Sequence, residues 1–231
     1  MFRLLKTLIR PHLSSSKDIK EGASEANVQN EVYNPSQEDR MQVLRILQQL
    51  KLPIELGYSI LDEAEYWVAT ITYGRGSVQV YSWGDKVEDI LHNCSIERLP
   101  GMTVRCIRVN LESKDQGWSS SGREYDGTRL GSFSWLEIGL YSTRKDIQAL
   151  YNFPEDAELL VEPFDFLRNV HAYPEFTKSI TSFYPEDENG LVKAVQKMDR
   201  DKYPGIRITV CAQYRAWANT ARNLRIEVLH G

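Results

Sequence analysis

The chain has 231 residues, 42% hydrophobic and 10% aromatic, enough for one large domain with an appendage. The formal net charge is −4. No compact Lys/Arg cluster with interleaved aromatics occurs, which argues against a nucleic-acid binder. No apolar run approaches the ~18 residues of a spanning helix, so no transmembrane segment is expected.

The first sixteen residues, MFRLLKTLIRPHLSSS, set Arg3, Lys6 and Arg10 among Phe2, Leu4, Leu5, Leu8 and Ile9, with no acid before Asp18. That composition fits an amphipathic mitochondrial presequence; a plain basic arm is the alternative. Residues 14–34 are polar and read as a disordered linker. Residues 1–35 are therefore taken as a disordered or targeting arm. Ser36 with Asp39 resembles a capping box. Met41, Leu44, Leu47 and Leu50 then recur at helical spacing, widened by Val43 and Ile46. A second helix follows, with Pro53 at its first position and Glu55 in its first turn. Its apolar face runs through Ile60, Leu61, Ala64 and Trp67. Residues 36–67 thus form a two-helix segment.

From Val68 the period changes to two. VATITYGRGSVQVYSWG reads as two strands joined by the turn Gly74-Arg75-Gly76. Residues 85–103 read as a connection. Val104, Cys106, Ile107, Val109 and Leu111 mark one strand, and Phe133, Trp135, Leu136, Ile138 and Leu140 mark the next. A Gly- and Ser-rich loop joins them. TRKDIQALYNFP reads as a short helix or loop, and AELLVEPFDFL contains a strand. The stretch 173–205 is irregular and reads as an insertion or lid. Ile206, Ile208, Val210 and Ala212, then Leu224, Ile226 and Val228, alternate on either side of a turn carrying Trp217 and Asn219. About eight short strands without βα alternation predict an antiparallel β-sandwich of jelly-roll type over 68–231, behind a short helical segment.

Cys94, Cys106 and Cys211 lack metal-ligand spacing and read as free buried thiols of a reducing compartment, with one disulfide plus a free thiol as the alternative. This favours a cytoplasmic or nuclear location, with the mitochondrion as the alternative. His12, His92, His171 and His230 show no i, i+2 or i, i+4 pairing, so no metal or other cofactor is expected. No GxSxG, Cys–His signature or P-loop is present, and no catalytic residue is assigned. Glu137, between Leu136 and Ile138, is expected to face solvent.

The best site candidate is the loop after the 104–111 strand. Trp118 offers an apolar ring face, and Asp115, Gln116 and Ser119 offer planar or hydroxyl hydrogen-bonding groups. Asp126, Arg129 and Arg123 lie on the same loop. The alternative is that Trp118 plugs the core and Asp115 caps a turn. Arg215, Trp217 and Asn219 form a second loop candidate, with packing of Trp217 beneath the loop as its alternative.

Leu52-Pro53, Glu55-Leu56 and Ile60-Leu61 resemble the LPxEL…IL opening of an F-box. The resemblance implies that Leu52, Pro53, Leu56, Ile60 and Leu61 dock on a Skp1-type adaptor of a ubiquitin ligase. The chain departs from that pattern by turning to β-alternation after Trp67. SWLEIGL at 134–140 and the closing AWANTARNLRIEVLHG are similar to strands of discoidin-type, galactose-binding-like jelly rolls. Together with the DQGWSS loop they resemble fungal proteins with F-box-like starts. This implies a non-catalytic module that binds a protein or glycan through loops at one end of the sandwich. The rival is a small enzyme, isomerase, cyclase or hydrolase, acting in a deep pocket lined by several Tyr or Trp and one or two isolated acids.

Overall fold

The structure is a computed structural model that describes residues 34–74, 76–119, 123–143, 157–199 and 202–231. The basic arm, save its last two residues, and the segment read as a helix or loop at TRKDIQALYNFP, save Thr143, lie outside the described residues. The chain divides into two units, 1–66 and 67–231.

In the first unit, α1 spans Gln37–Gln49 and α2 spans Ile54–Glu63. Ser36 and Asp39 form the expected capping box: the Asp39 N–H donates to Ser36 Oγ at 3.1 Å, and the Ser36 N–H to Asp39 Oδ2 at 2.9 Å. The buried face of α1 is Arg40, Leu44 and Leu47. Met41, Ile46 and Leu50 are exposed, so the apolar stripe is narrower than the spacing suggested. Gly57 lets the helices meet: a Cβ there would stand 3.1 Å from Leu44. Pro53 is the N-cap of α2 rather than its first turn. Trp67 is not on the helix; it packs with Cys106 and Leu229 in the second unit.

Among the described residues, the second unit has nine strands in two antiparallel sheets. The strands are β1 (Val68–Tyr73), β2 (Ser77–Tyr81), β3 (Val87–Ser95), β4 (Val104–Asp115), β5 (Ser134–Thr143), β6 (Glu158–Arg168), β7 (Thr177–Phe183), β8 (Tyr203–Ala212) and β9 (Ala218–His230). One sheet runs β1-β9-β4-β7, with β2 also on β9; the other runs β3-β8-β5-β6. With β1 and β2 sharing one position, eight strands pass between the sheets at every connection but β5–β6. That is the strand order of a jelly roll. The inward residues of β4, β5, β8 and β9, among them Ile107, Leu136, Ile138, Ile208 and Ile226, are almost fully buried. Each such side chain contributes on the order of 1.5–3 kcal/mol.

Three sequence expectations change. The strands β1 and β2 are not a hairpin; both pair with β9, β1 to residues 225–230 and β2 to 218–222. They lie end to end along one long strand, broken where Gly74 donates to the Leu224 carbonyl at 2.8 Å. A Cβ on Gly74 would stand 2.8 Å from Leu224, so only glycine allows that approach. The connection expected over 85–103 contains β3, whose alternation is broken by a bulge between Ile90 and His92. The expected insertion or lid at 173–205 is instead, in its described part, built into the sandwich. It supplies β7 and a short helix α3, Leu191–Lys197, whose Leu191, Val192 and Val195 are fully buried. Arg98 pins the end of this stretch by donating to the carbonyls of Met198, Asp199 and Lys202. No helix among the described residues is long and apolar enough to cross a membrane.

Candidate functional site

Jelly-roll topology gathers alternate connections at one end of the sandwich: 82–86, the described parts 116–119 and 123–133 of one loop, 169–176 and 213–217. Hydrogen bonds tie each to its neighbour. Ser82 and Ala216–Trp217 exchange backbone bonds at 2.8 and 2.9 Å. The Gln213 N–H donates to the Phe133 carbonyl at 2.9 Å. Gly127 donates to the His171 carbonyl at 3.1 Å and His171 to the Thr128 carbonyl at 2.7 Å. The loops therefore stand in the order 82–86, 213–217, 123–133, 169–176 and form one bonded surface.

Aromatic side chains line it. Trp83, Trp118, Tyr125, Phe133, Tyr173 and Tyr214 are all exposed, as is Leu130. Phe133 meets Tyr214 edge-on at 4.5 Å, and Trp217 at 5.3 Å beneath. Trp83 meets Tyr81 at 4.9 Å. Three of the six described non-glycine residues with positive φ lie here: Ala172, Tyr214 and Ala216. Each left-handed residue costs about 1–2 kcal/mol. Gly117, at φ 82°, passes so close to Pro174 that a Cβ would stand 2.5 Å from it.

The expected site residues separate into surface and support. Trp118 is 55% exposed, and Asp126, Arg123, Arg129 and Arg215 are exposed as well. Arg129 donates to the Arg168 carbonyl and, at 3.0 Å, to Ser179. Ser119 is half-buried. Gln116 bridges two loops, donating to the Trp118 carbonyl at 2.8 Å and accepting from the Ala218 N–H at 3.2 Å.

Asp115, Asn219 and Trp217 belong to the support: Asp115 and Trp217 take their alternative roles, a turn cap and packing beneath the loop, whereas Asn219, expected on the loop, is a correction. Asp115 is buried; it accepts from the Gly117 N–H at 2.8 Å and the Ala172 N–H at 2.9 Å, and so fixes two loops. Burial pushes its carboxyl above the ordinary value, against the lowering pull of those N–H groups. Asn219 is fully buried inside the sandwich. Its Nδ2 donates to the carbonyls of Trp135 at 2.7 Å and Cys211 at 2.9 Å, and its Oδ1 accepts from Asn169 at 2.8 Å. It ties the two sheets together and has no donor or acceptor turned outward. Trp217 is the buried floor beneath Phe133 and His171. His171, weighed in the sequence only as a metal ligand, is also buried. Its Nδ1 lies 3.0 Å from the Gly131 carbonyl, and its Nε2 lies 3.6 Å from Asp126.

On the two-helix segment, Pro53 and Leu56 are exposed, Leu52 and Ile60 are half-buried, and Leu61 is fully buried. Leu61 therefore supports the helix rather than offering itself to a partner. Glu137, expected in solvent, is mostly buried. It accepts from Trp135 Nε1 at 2.9 Å and from Lys86 at 2.8 Å. Glu88, Glu137 and Cys211 lie close enough to share a cation, but Lys86 already bridges both carboxylates. Burial opposes the Lys86 charge, yet the bonds to Glu137 and Glu88 outweigh it and hold the ammonium above its ordinary range.

No protein-family model matches the chain, and no curated protein matches it. The chain is similar to capsid structures of infectious bursal disease virus. For the Gx strain, the identity is 7%, covering 71% of this chain and 37% of that chain, with a TM-score of 0.27. For the VP2 subviral particle, the identity is 12%, covering 71% and 40%, with a TM-score of 0.19. The chain thus spans about two fifths of the length of those proteins. At these scores the likeness has no bearing on function, and the class is set by strand order alone: an antiparallel β-sandwich with jelly-roll connections.

Proposed function

We propose that the chain is a non-catalytic recognition module, a galactose-binding-like jelly roll that holds a protein or glycan ligand on its loop end. The observation that carries this reading is the aromatic surface on four mutually bonded loops. Leaving large apolar side chains in water forgoes on the order of 1.5–3 kcal/mol each relative to burial. Holding three non-glycine residues left-handed adds to that cost. A fold that bears both at one end has a rigid, pre-organised surface of the kind that binds without much ordering entropy. The exposed Pro53 and Leu56 supply the second part of the proposal, contact with a Skp1-type adaptor of a ubiquitin ligase, which would make the jelly roll its substrate receptor. The F-box-like and fungal resemblance supports this part.

The test uses the full chain on a glycan array and in affinity capture, beside Trp118→Ala and Tyr214→Ala. Both variants should keep the unfolding midpoint and lose at least tenfold in ligand affinity. Leu56→Asp should lose the adaptor while keeping the ligand. Retention of ligand by both aromatic variants would end the loop-end reading.

A further inference from the structure

Four sides of the two sheets end in edge strands, and three of them are guarded. The edge strand β3 carries Glu88, Asp89 and a bulge. β6 carries Pro163, Glu162 and Asp165, with register shifts against β5. β7 carries Lys178. Charge, proline and bulges are the usual means of stopping a foreign strand from adding to a sheet. The fourth side is shared by β2 and β1. β2 runs beside β3. β1, VATITY, has no charge, proline or bulge, and among the described residues it pairs only with β9.

A cleft of about 730 Å³ opens beside β1, within the range of about 300–1,000 Å³ that ligand sites occupy. Its apolar residues include Ile226 and Val228 of β9, which pair with Thr72 and Thr70. These register positions give Thr70 and Thr72 the inward face, where the neighbouring strands carry Ile and Val. The walls add Ser95, the exposed carboxylate of Glu97, and Arg98, whose guanidinium is spent on the carbonyls of Met198, Asp199 and Lys202. Thr70 donates its hydroxyl to the Val228 carbonyl at 3.5 Å, and both threonines are short, which leaves room over Ile226 and Val228.

We infer that β1 and this cleft form a binding site for an extended peptide segment of a partner, which adds as a strand to β1. Main-chain bonds to β1 give the affinity. Alternate side chains of the peptide enter the cleft over Ile226 and Val228, and a Lys or Arg meets Glu97. A second copy of this chain is the poorer occupant: self-pairing of β1 would place only Val68, Thr70 and Thr72 in a space that larger side chains fill. Six residues of β1 call for a segment about 20 Å long. The site shares no residue with the loop end and does not depend on the reading proposed for it.

The experiment pans a displayed library of random decapeptides against the full chain and measures one enriched peptide by fluorescence anisotropy. The peptide should alternate apolar and polar residues, carry a basic residue, and slow amide exchange across residues 68–73. Thr72→Lys should weaken it at least tenfold, Thr72→Val should not, and Glu97→Lys should shift the enriched charge from basic to acidic. Glu97→Lys lies outside the strands and keeps the test decisive if Thr72→Lys misfolds. Enriched peptides that are indifferent to position 97 and leave β1 exchange unchanged, an empty selection, or self-association of the chain lost in Thr72→Lys would each overturn the inference.

Discussion

Asn219→Ala separates a structural bridge from a ligand contact, because the two roles predict opposite outcomes. The side chain makes three hydrogen bonds: to the Trp135 carbonyl at 2.7 Å, the Cys211 carbonyl at 2.9 Å and from Asn169 at 2.8 Å. All three partners are buried. Truncation leaves each without this bond in a place water does not reach, at about 1–3 kcal/mol per group. Three groups at the low end give about 3 kcal/mol. For a domain of this size, about 2–4 °C per kcal/mol makes a fall of roughly 6–12 °C in Tm. Asn219→Asp should be worse, since it aims a carboxylate oxygen at two carbonyl oxygens. The assay is thermal unfolding by circular dichroism, run beside Trp118→Ala, whose exposed ring predicts a change within about 0.5 kcal/mol. An Asn219→Ala protein that melts with wild type and loses ligand would refute the bridging role.

Asp115→Asn should cost about 1–3 kcal/mol in denaturant unfolding, because its new amide can face one of the two N–H donors only as a donor itself. His230 lies between the carbonyls of Val68 and Glu97, and burial holds its imidazole below the ordinary 6.5 despite those bonds. The unfolded chain then takes up the proton first, so its contribution to stability, full above about 6.5, should fall as pH drops below that value; His230→Gln should flatten that part of a pH–stability profile. Burial also raises the thiols, Cys94 to about 12 and Cys106 to about 11, with Cys211 raised too. N-ethylmaleimide at pH 8 should leave the folded protein largely unlabelled and label all three cysteines in denaturant.

The strands β4, β5, β8 and β9 were legible because their apolar side chains alternate in sequence toward the other sheet, although β8 and β9, interior in their sheets, are buried on both faces along much of their length. β3 was not, since its bulge shifts the alternation midway. β7, TKSITSF, mixes hydroxyls on both faces at a sheet edge and leaves no periodic signal. β1 and β2 were seen as strands but mispaired, because a glycine break looks the same whether the chain turns back or runs on. At the loop end, Trp118 could be picked out by residue type. Asn219 was misread for the same reason: an Asn two residues after a Trp suits a ligand contact, and only the stacking of two sheets reveals what it bridges. Tyr214 and Phe133 sit at strand ends, where an aromatic counts equally as core or surface.

The strand β9 carries β1, β2 and β4 together, and its partners on the first two lie about 140–160 positions earlier. A ribosome adding about 5–20 residues per second makes β1 and β2 on the order of 10–30 s before the strand that will hold them. During that interval an uncharged, β-prone segment stands without its native neighbour, and pairing so distant in sequence is slow even once the chain is complete. The same lack of guarding that suits β1 to a visiting strand therefore makes its early life hazardous, and newly made chains should depend on chaperones until the thirteen residues of β9 arrive.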